Sequence, residues 1–298
     1  MNQQQFPLIG KKLVAAVSCA ALVVSGSLAL AGCQTETEMD SSLTPTVESG
    51  STITDGTLTV GVNAANTPYG GTNSDNETIG LDVDLAAAIA DELGLELQIV
   101  DVSSNGRSAL AEGQVDLVMG ATKSGSDDTV TYSSAYINDG ASLYCLEGNE
   151  PESVSDVELG KKDKIIVQGG TNASSEVQAV VGVDYIEASS TMQEAFDSLV
   201  AGDQTYLVAD AVIGDYFARN YEDVVRVGFI GADCVSPMYA ITLTENYELT
   251  SAVSEAITTI TDDGRLRVIE AKWLGSEGEA LLPGQEEEES MPETAFGL

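Results

Sequence analysis

The 298-residue chain contains no histidine, and it has only four cysteines and one tryptophan. Without histidine it lacks the commonest general base at neutral pH and the commonest metal ligand. We expect no metal site, no cofactor and no catalytic residue. Basic residues are also scarce, with 12 Lys and Arg against 48 Asp and Glu. Because nucleic acids are bound through basic side chains, and anionic lipid surfaces through basic segments, this charge balance argues against either as a direct partner.

Acidic residues are absent before Glu36, where the chain instead carries Lys11 and Lys12 followed by an apolar run. By length alone the run could be an uncleaved membrane anchor. Its order, a positive start, an apolar middle and small residues at the exit, is typical of an export signal. The sequence LAGC that ends at Cys33 resembles the lipobox of bacterial lipoproteins. That resemblance implies a signal peptide over residues 1–32, acyl chains on Cys33, and a membrane-anchored chain outside the cytoplasm.

The remaining cysteines follow from this interpretation. Cys19 leaves with the signal and Cys33 carries lipid, so Cys145 and Cys234 are left in the mature chain. Outside the cytoplasm such a pair can oxidise and persist as a disulfide. The alternative is two buried thiols that never meet.

Both ends of the mature chain have the composition of solvated polypeptide. Residues 33–54 are rich in Thr, Ser and Glu and predict a flexible tether. Residues 276–298 include four successive glutamates and predict a disordered acidic tail. Between these ends, segments of strand periodicity alternate with helical ones in two successive runs, which predicts two α/β lobes with parallel sheets covered by helices.

The ordered set of segments over residues 55–275 resembles the bacterial extracellular solute-binding proteins of family 3, which serve polar amino-acid ABC importers. The segments that carry the resemblance are TLTVGVNAANTPYG, IGLDVDLAAAIADELG, LAEGQVDLVMGAT, TYSSAY, VQGGTNAS, AFDSLVAGDQTYLVAD, MYAITLTEN and DDGRLRVIEAKWLG. The family fold is an α/β, two-lobed, type II periplasmic-binding-protein-like fold with two crossing strands. The resemblance implies lobe one at 55–140 plus 238–275 and lobe two at 141–237.

The same resemblance implies what the chain does. It predicts a monomeric substrate-binding lipoprotein that captures an amino acid or a related small cationic solute, such as an amine, by closing its lobes, and that delivers the solute to an ABC importer permease. With Cys145 on the outgoing crossing strand and Cys234 just before the returning one, it also implies that these cysteines form the disulfide. The alternatives are an enzyme on the same scaffold, similar to cyclohexadienyl dehydratase, and a surface sensor or adhesin.

In lobe two, the resemblance assigns a solute ammonium group to Asp210 at the end of TYLVAD. The alternative role for Asp210 is a helix N-cap. Gly170, Thr171 and Asn172 match the loop that faces the solute carboxylate, where a helix start favours an anion; the alternative is an ordinary strand-to-helix turn in which Thr171 or Asn172 is the cap.

In lobe one, Tyr69 matches an aromatic position of the first loop, and the alternative is a surface turn residue. Gly120 and Ala121 match positions whose backbone faces the solute. Family members that bind α-amino acids carry an arginine after this strand, but the corresponding position here holds Ser126 or Asp128. Either Lys123, with Arg107 as the second choice, replaces that arginine, or the solute lacks a free α-carboxylate; the alternative role for Lys123 is a solvated loop residue.

Overall fold

The structure, a computed structural model, describes residues 44–123, 128–157, 164–275 and 281–283. The predicted signal peptide and the lipid site at Cys33 lie outside these residues, as do Ser126 and most of the predicted acidic tail. Within the described ranges, no helix is both long and apolar enough to span a bilayer.

Strands and helices alternate along the chain as the sequence predicts. The strands are β1 (Thr57–Val62), β2 (Gly71–Thr72), β3 (Thr78–Ile79), β4 (Glu96–Asp101), β5 (Leu117–Thr122), β6 (Val130–Leu146), β7 (Ile165–Gln168), β8 (Ile186–Ser189), β9 (Tyr206–Asp210), β10 (Val224–Phe229) and β11 (Val235–Leu243). The α-helices are α1 (Leu81–Leu93), α2 (Gly106–Ala111), α3 (Asn172–Val181), α4 (Met192–Ala201), α5 (Ala211–Ala218), α6 (Tyr247–Asp262) and α7 (Arg265–Leu274).

Two groups of strands share the long strand β6. Its first part pairs with β11, from Val130 with Leu243 to Gly140 with Val235, and β11 continues to β5, β1 and β4. Its second part pairs with β9 and β10, and β9 continues to β7 and β8. We call the first group, with α1, α2, α6 and α7, lobe one, and the second group, with α3, α4 and α5, lobe two.

This topology confirms the predicted fold class. In lobe one, β1 is parallel to β4 and β5, and in lobe two β7 is parallel to β8 and β9, as expected for strands linked through helices. Strands β6 and β11 run antiparallel to each other between the lobes. The predicted lobe boundaries, at residues 140 and 237, lie within these two crossing strands.

Helix α1 shows how the local sequence specifies an element. Leu81, Leu85, Ile89 and Leu93 are all buried, because a spacing of three to four residues places them on one helical face. The helix ends at Gly94, whose φ of 65° is left-handed and favours glycine. Burying each leucine stabilises the lobe by about 1.5–3 kcal/mol relative to leaving it exposed.

The N-terminal segment differs from the prediction of a tether over residues 33–54. Residues 44–54 pack on lobe one: Val47 is 9% exposed and belongs to its core. The Thr46 amide donates to the Leu93 carbonyl at 3.0 Å, and the side chain of Asn246 donates to the Ser51 carbonyl at 2.7 Å. The prediction of a flexible chain is therefore wrong for these residues, because composition reports polarity and not the few apolar contacts that hold a segment down.

The C-terminal segment differs in the same way. Leu281 and Leu282 are 0% and 5% exposed and belong to the core of lobe one. The disordered tail predicted over residues 276–298 is therefore wrong for residues 281–283, and the rest of the predicted tail lies outside the described residues. Leu281 and Leu282 precede the run of four glutamates, and this apolar pair was the sequence signal for packing that the acidic composition outweighed.

The predicted disulfide is also wrong, because Cys145 and Cys234 are both free, buried thiols. Val235, next to Cys234, pairs with Gly140 on β6, whereas Cys145 lies five residues further along the same strand. At about 3.3 Å per residue the two sites are separated by about 16 Å, and a disulfide needs Cα atoms within about 7 Å. Cys145 lies on crossing strand β6 and Cys234 directly precedes crossing strand β11, but the two lie at different levels along β6.

Candidate functional site

A cavity of about 310 Å³ opens where three parallel strands of lobe one end. It is lined by residues that follow β1, by the turn between β4 and α2, and by the end of β5. The carboxyl ends of parallel strands are the usual place for a ligand site in open α/β sheets. The described residues that line the cavity all come from lobe one, including Ile241 of β11, and none of them comes from lobe two.

The cavity contains a buried carboxylate. Asp82, in the first turn of α1, is 3% exposed and lines the cavity. Tyr136 donates its hydroxyl hydrogen to Asp82 Oδ1 at 2.7 Å, and the Gly120 amide donates to the Tyr136 hydroxyl oxygen at 2.9 Å. Burial raises the pKa of Asp82 to about 7, which the bond from Tyr136 opposes only in part. The predicted site residue Gly120 thus has its N–H bonded to Tyr136 and stands beside this carboxylate.

Gly120 is a position where the fold requires glycine. Its φ is +73°, and a Cβ built on it would lie 3.0 Å from Asp82 Oδ2. A side chain there would be strained in its backbone and would crowd the carboxylate. Ala121, the next residue, lines the same cavity, so both predicted positions of this strand lie at the cavity.

Among the described residues that line the cavity, Arg107 is the basic one. It lines the cavity, and its guanidinium donates a hydrogen bond to the Tyr132 hydroxyl. Lys123 is exposed and does not line the cavity; its ammonium lies 4.3 Å from the centroid of the Tyr239 ring, a cation–π contact. Of the two cations considered for the missing arginine, Arg107 is therefore the one that faces the cavity, although the sequence ranked Lys123 first.

Tyr69 is buried rather than a surface turn residue. It is 2% exposed and lines the cavity, so the surface alternative is wrong. Its hydroxyl donates to Asp139 Oδ2 at 2.6 Å. The phenol is therefore committed to a residue of β6, and only its ring is available at the cavity.

Asp139 lies on β6 and connects the lobes through hydrogen bonds. Besides the bond from Tyr69 in lobe one, its Oδ1 accepts from the Val212 amide of α5 in lobe two at 3.1 Å and from its neighbour Gly140 at 2.8 Å. Burial raises the pKa of Asp139, and these hydrogen bonds oppose that shift. The sequence analysis missed Asp139; an Asn-Asp-Gly within an otherwise apolar strand segment was the signal that could have found it.

The lobe-two loop predicted to face a carboxylate forms the start of α3. Thr171 is the N-cap and accepts a hydrogen bond from the Ser174 amide at 3.1 Å, as the capping alternative proposed. Gly170 has a φ of +82° and open space around it. Asn172, the first residue of α3, is exposed. Thr171 therefore caps α3, and its neighbours Gly170 and Asn172 are exposed at the surface.

Asp210 is at the N-cap position of α5, but its side chain makes no capping bond to that helix. The amide of Ala173, in the first turn of α3, donates to it instead, and burial raises its pKa to about 7. Asp139 takes the capping role at α5. Asp210 thus occupies the N-cap position of α5, as the alternative predicted. Its side chain does not cap that helix, because the carboxylate accepts a hydrogen bond from α3 instead.

Glu176 is a further acid beside Asp210. Burial raises the pKa of Glu176, and its carboxylate accepts hydrogen bonds from the Ala141 amide and the Cys234 thiol. The negative charges of Asp139 and Glu176 add to burial in raising the pKa of Asp210. None of the ion pairs among the described residues includes these three acids, so this part of lobe two is suited to a cationic group.

Comparisons with known proteins agree with this architecture. The sequence model of the bacterial extracellular solute-binding proteins, family 3, matches residues 58–276. The L-cystine-binding protein of Escherichia coli K12 is 27% identical over 241 residues, 74% of this chain and 84% of that protein. The arginine-binding extracellular protein of Bacillus subtilis 168 is 27% identical over 237 residues, 74% of this chain and 87% of that protein.

A solved structure gives the same result. An ancestral cationic amino acid solute-binding protein superimposes with a TM-score of 0.62 at 27% identity, covering 74% of this chain and 96% of that one. The family match spans both lobes and both crossing strands, and it carries a substrate-binding role and a location outside the cytoplasm. The chain belongs to the bacterial extracellular solute-binding proteins of family 3.

Proposed function

We propose that this protein captures an amino acid or a related small cationic solute between its lobes and delivers it to the permease of an ABC importer. The observation that carries the proposal is that lobe one offers a basic group and lobe two offers acidic groups, and that two crossing strands join the lobes. Lobe one presents Arg107 at the cavity wall, and lobe two presents Asp210 beside Glu176 without a basic partner among the described ion pairs.

An amino acid carries the two groups that these faces suit. Its α-carboxylate pairs with the guanidinium of Arg107, whose planar fork matches a carboxylate. Its ammonium pairs with Asp210, a desolvated acid that gains most from a cation. Arg107 would thus take the place of the family arginine that is missing at Ser126 or Asp128.

Lobe closure follows from binding to both faces. A solute shifts the equilibrium toward a closed form only by contacts that the open form lacks. Hinge closure is the usual motion of such two-lobed proteins, and the crossing strands β6 and β11 are the elements about which the lobes turn. The protein acts as a binding protein and not as an enzyme, and it works as a monomer.

We also propose that the chain is a lipoprotein, with residues 1–32 removed and Cys33 acylated. Mass spectrometry of the protein extracted from its own host membrane tests this: we expect a mature chain that begins at Cys33 with added acyl mass. Cleavage elsewhere, or an intact N-terminus, would contradict the proposal.

Calorimetric titration of paired solutes tests the site assignment. L-Arginine and agmatine differ by the α-carboxylate, as do L-lysine and cadaverine. We expect the amino acid of each pair to bind at least tenfold more tightly, and Arg107→Gln to abolish that difference because it removes the carboxylate partner. Arg267→Gln, at an exposed position of α7, is the control and should bind as the wild type does.

Asp210→Asn tests the lobe-two face with the same solutes. We expect affinity to fall at least tenfold for all four, because every one carries an ammonium group. Asp184→Asn, an exposed acid of the same lobe, is the matched control. If no amino acid or amine binds to the wild-type protein, the proposed function is wrong; if they bind and Asp210→Asn has no effect, only the site assignment is wrong.

A further inference from the structure

We propose that Asp82 binds the positively charged end of the solute's side chain, an ammonium or a guanidinium group, within the lobe-one cavity. This inference rests on the proposed function and narrows the solute to amino acids with cationic side chains. Asp82 lies in one of the segments that carry the resemblance to the family, but it is not among the solute-contacting positions that the resemblance implies.

The first reason is the accessibility of one oxygen of a buried carboxylate. Asp82 is 3% exposed and still lines the cavity. Its Oδ1 accepts the hydrogen bond from Tyr136, whereas Oδ2 accepts none from the residues that the structure describes. Some buried polar atoms of the described residues have neither solvent contact nor a hydrogen-bond partner, and Asp82 Oδ2 is not one of them. A carboxylate oxygen with free acceptor capacity thus faces the cavity.

Gly120 keeps that oxygen accessible. A Cβ at residue 120 would stand 3.0 Å from Asp82 Oδ2. Because glycine carries no Cβ, the space above Oδ2 stays open to the cavity. The positive φ of +73° at Gly120 also disfavours any other residue there.

The second reason is charge. A buried carboxylate whose second oxygen has no donor is costly, and it is stabilised by a donor that carries positive charge. Arg107, the basic residue among those lining the cavity, donates to the Tyr132 hydroxyl, and none of the described ion pairs includes Asp82. An ammonium or guanidinium from the solute would supply the missing donor, whereas an apolar side chain would leave Oδ2 desolvated and unpaired.

Matched solutes test the inference on the full chain purified in detergent. L-Arginine and L-citrulline share their shape but differ in charge at the end of the side chain, and L-lysine and L-norleucine differ in the same way. By calorimetry we expect the wild-type protein to bind each charged solute at least tenfold more tightly than its uncharged partner. This preference needs no variant, so it tests the inference even if a substitution at residue 82 prevents folding.

Asp82→Asn tests the residue itself. We expect it to weaken L-arginine and L-lysine at least tenfold and to change L-citrulline and L-norleucine less than threefold. Asp91→Asn is the control, since it removes an exposed acid from the last turn of the same helix. Unfolding midpoints and circular dichroism of both variants establish that they are folded.

The outcomes separate this inference from the proposed function. Wild-type preference for the uncharged solutes, or equal losses for all four in Asp82→Asn, would overturn the inference while binding itself persists. Binding of all four by Asp82→Asn with wild-type affinity would do the same. A wild-type protein that binds no amino acid or amine would instead overturn the proposed function.

Discussion

Asp82 in lobe one is a buried carboxylate, and Asp210 in lobe two is a half-buried one. Burial raises the pKa of each to about 7. Arranging a desolvated acid at a ligand site costs stability in the absence of ligand, and that cost is recovered when a cation binds. In the proposed function, the two residues therefore link the stability of the free protein to its binding of a cation.

The stability of the ligand-free protein should fall as the pH rises from 5 to 8. In the unfolded chain an aspartate titrates near 3.9, so between about pH 4 and pH 7 the folded protein holds protons that the unfolded chain has released. The free energy of unfolding then decreases with pH, by at most about 1.4 kcal/mol per unit for each group. Chemical denaturation across this range measures it.

The double variant Asp82→Asn plus Asp210→Asn should show a flatter dependence over the same range, because neither position can titrate. The pH dependence of stability that remains in the double variant comes from Asp116, Asp139 and Glu176, because burial raises their pKa values as well. A wild-type stability that rises between pH 5 and pH 8 would contradict the assignment of raised pKa values.

The two buried cysteines give a second prediction. Processed protein, acylated at Cys33, should yield two reactive thiols per chain after denaturation, from Cys145 and Cys234. In the folded protein both should react slowly, because burial raises each pKa to about 11 and keeps the thiolate scarce. Titration with a thiol reagent counts them; a count of zero after denaturation would instead indicate a disulfide.

Among the elements, the N-terminal segment 44–54 is the one whose structure departs most from its composition. It connects the C-terminal end of α1, through Leu93, to the start of α6, through Asn246. The Ile53 amide also donates to the buried Asp116 at 2.7 Å. These contacts lie at the amino ends of the parallel strands, opposite the cavity, so the segment anchors lobe one without touching the site.

Truncating Val47 should therefore destabilise the protein. We expect Val47→Ala to lower the free energy of unfolding by about 1–2 kcal/mol, since it removes buried methyl groups from the lobe-one core. Urea denaturation measures the loss. Val183→Ala, at a position 62% exposed, should cost less than about 0.5 kcal/mol. Equal stabilities for the two variants would mean that segment 44–54 does not pack on lobe one.

Strand β6 is one of the two strands that join the lobes, and it carries the buried carboxylate of Asp139. Tyr69 from lobe one and Val212 from lobe two both donate to this carboxylate. Because Asp139 accepts hydrogen bonds from both lobes, it fixes the positions of Tyr69 and Val212 relative to the crossing strand. The first loop of lobe one and the start of α5 are thereby both bonded to crossing strand β6.

Tyr69→Phe tests that connection. It removes one donor from a buried carboxylate and keeps the ring, so we expect a loss of about 1–3 kcal/mol in the free energy of unfolding. Tyr247→Phe, 78% exposed, should leave stability unchanged in the same urea titration. If Tyr69→Phe leaves the free energy of unfolding unchanged, the bond to Asp139 does not stabilise the connection between the lobes.

At the scale of the whole molecule, the fold followed from the sequence because its signals are local and repeated. The apolar spacing of α1, its terminal Gly94 and the alternation of strands with helices need no knowledge of distant contacts. The burial of Tyr69, the separation of the two cysteines and the choice of Arg107 over Lys123 depend on which residues meet in space. Contacts between residues that are distant in the chain produce no periodic pattern that could be recognised in a single sequence.

The same limit applies to the two acids of the proposed site, Asp82 and Asp210. Asp82 occupies a helical position that periodicity alone would treat as a first-turn acid facing solvent. Its burial results from the approach of Gly120 and Tyr136, which come from later strands. The sequence identified the lobe-two aspartate through resemblance, but not the change of partner from α5 to α3.

Closure of the lobes around a solute is the central claim, and small-angle X-ray scattering with and without a saturating amino acid tests it most directly. The amino acid to use is the one that raises the unfolding midpoint most, since ligand at a hundredfold over Kd stabilises by about 2.7 kcal/mol. We predict that the radius of gyration decreases on binding, and that Asp210→Asn abolishes the decrease at the same solute concentration. A scattering curve unchanged at saturation, with binding verified by calorimetry on the same sample, would contradict the account.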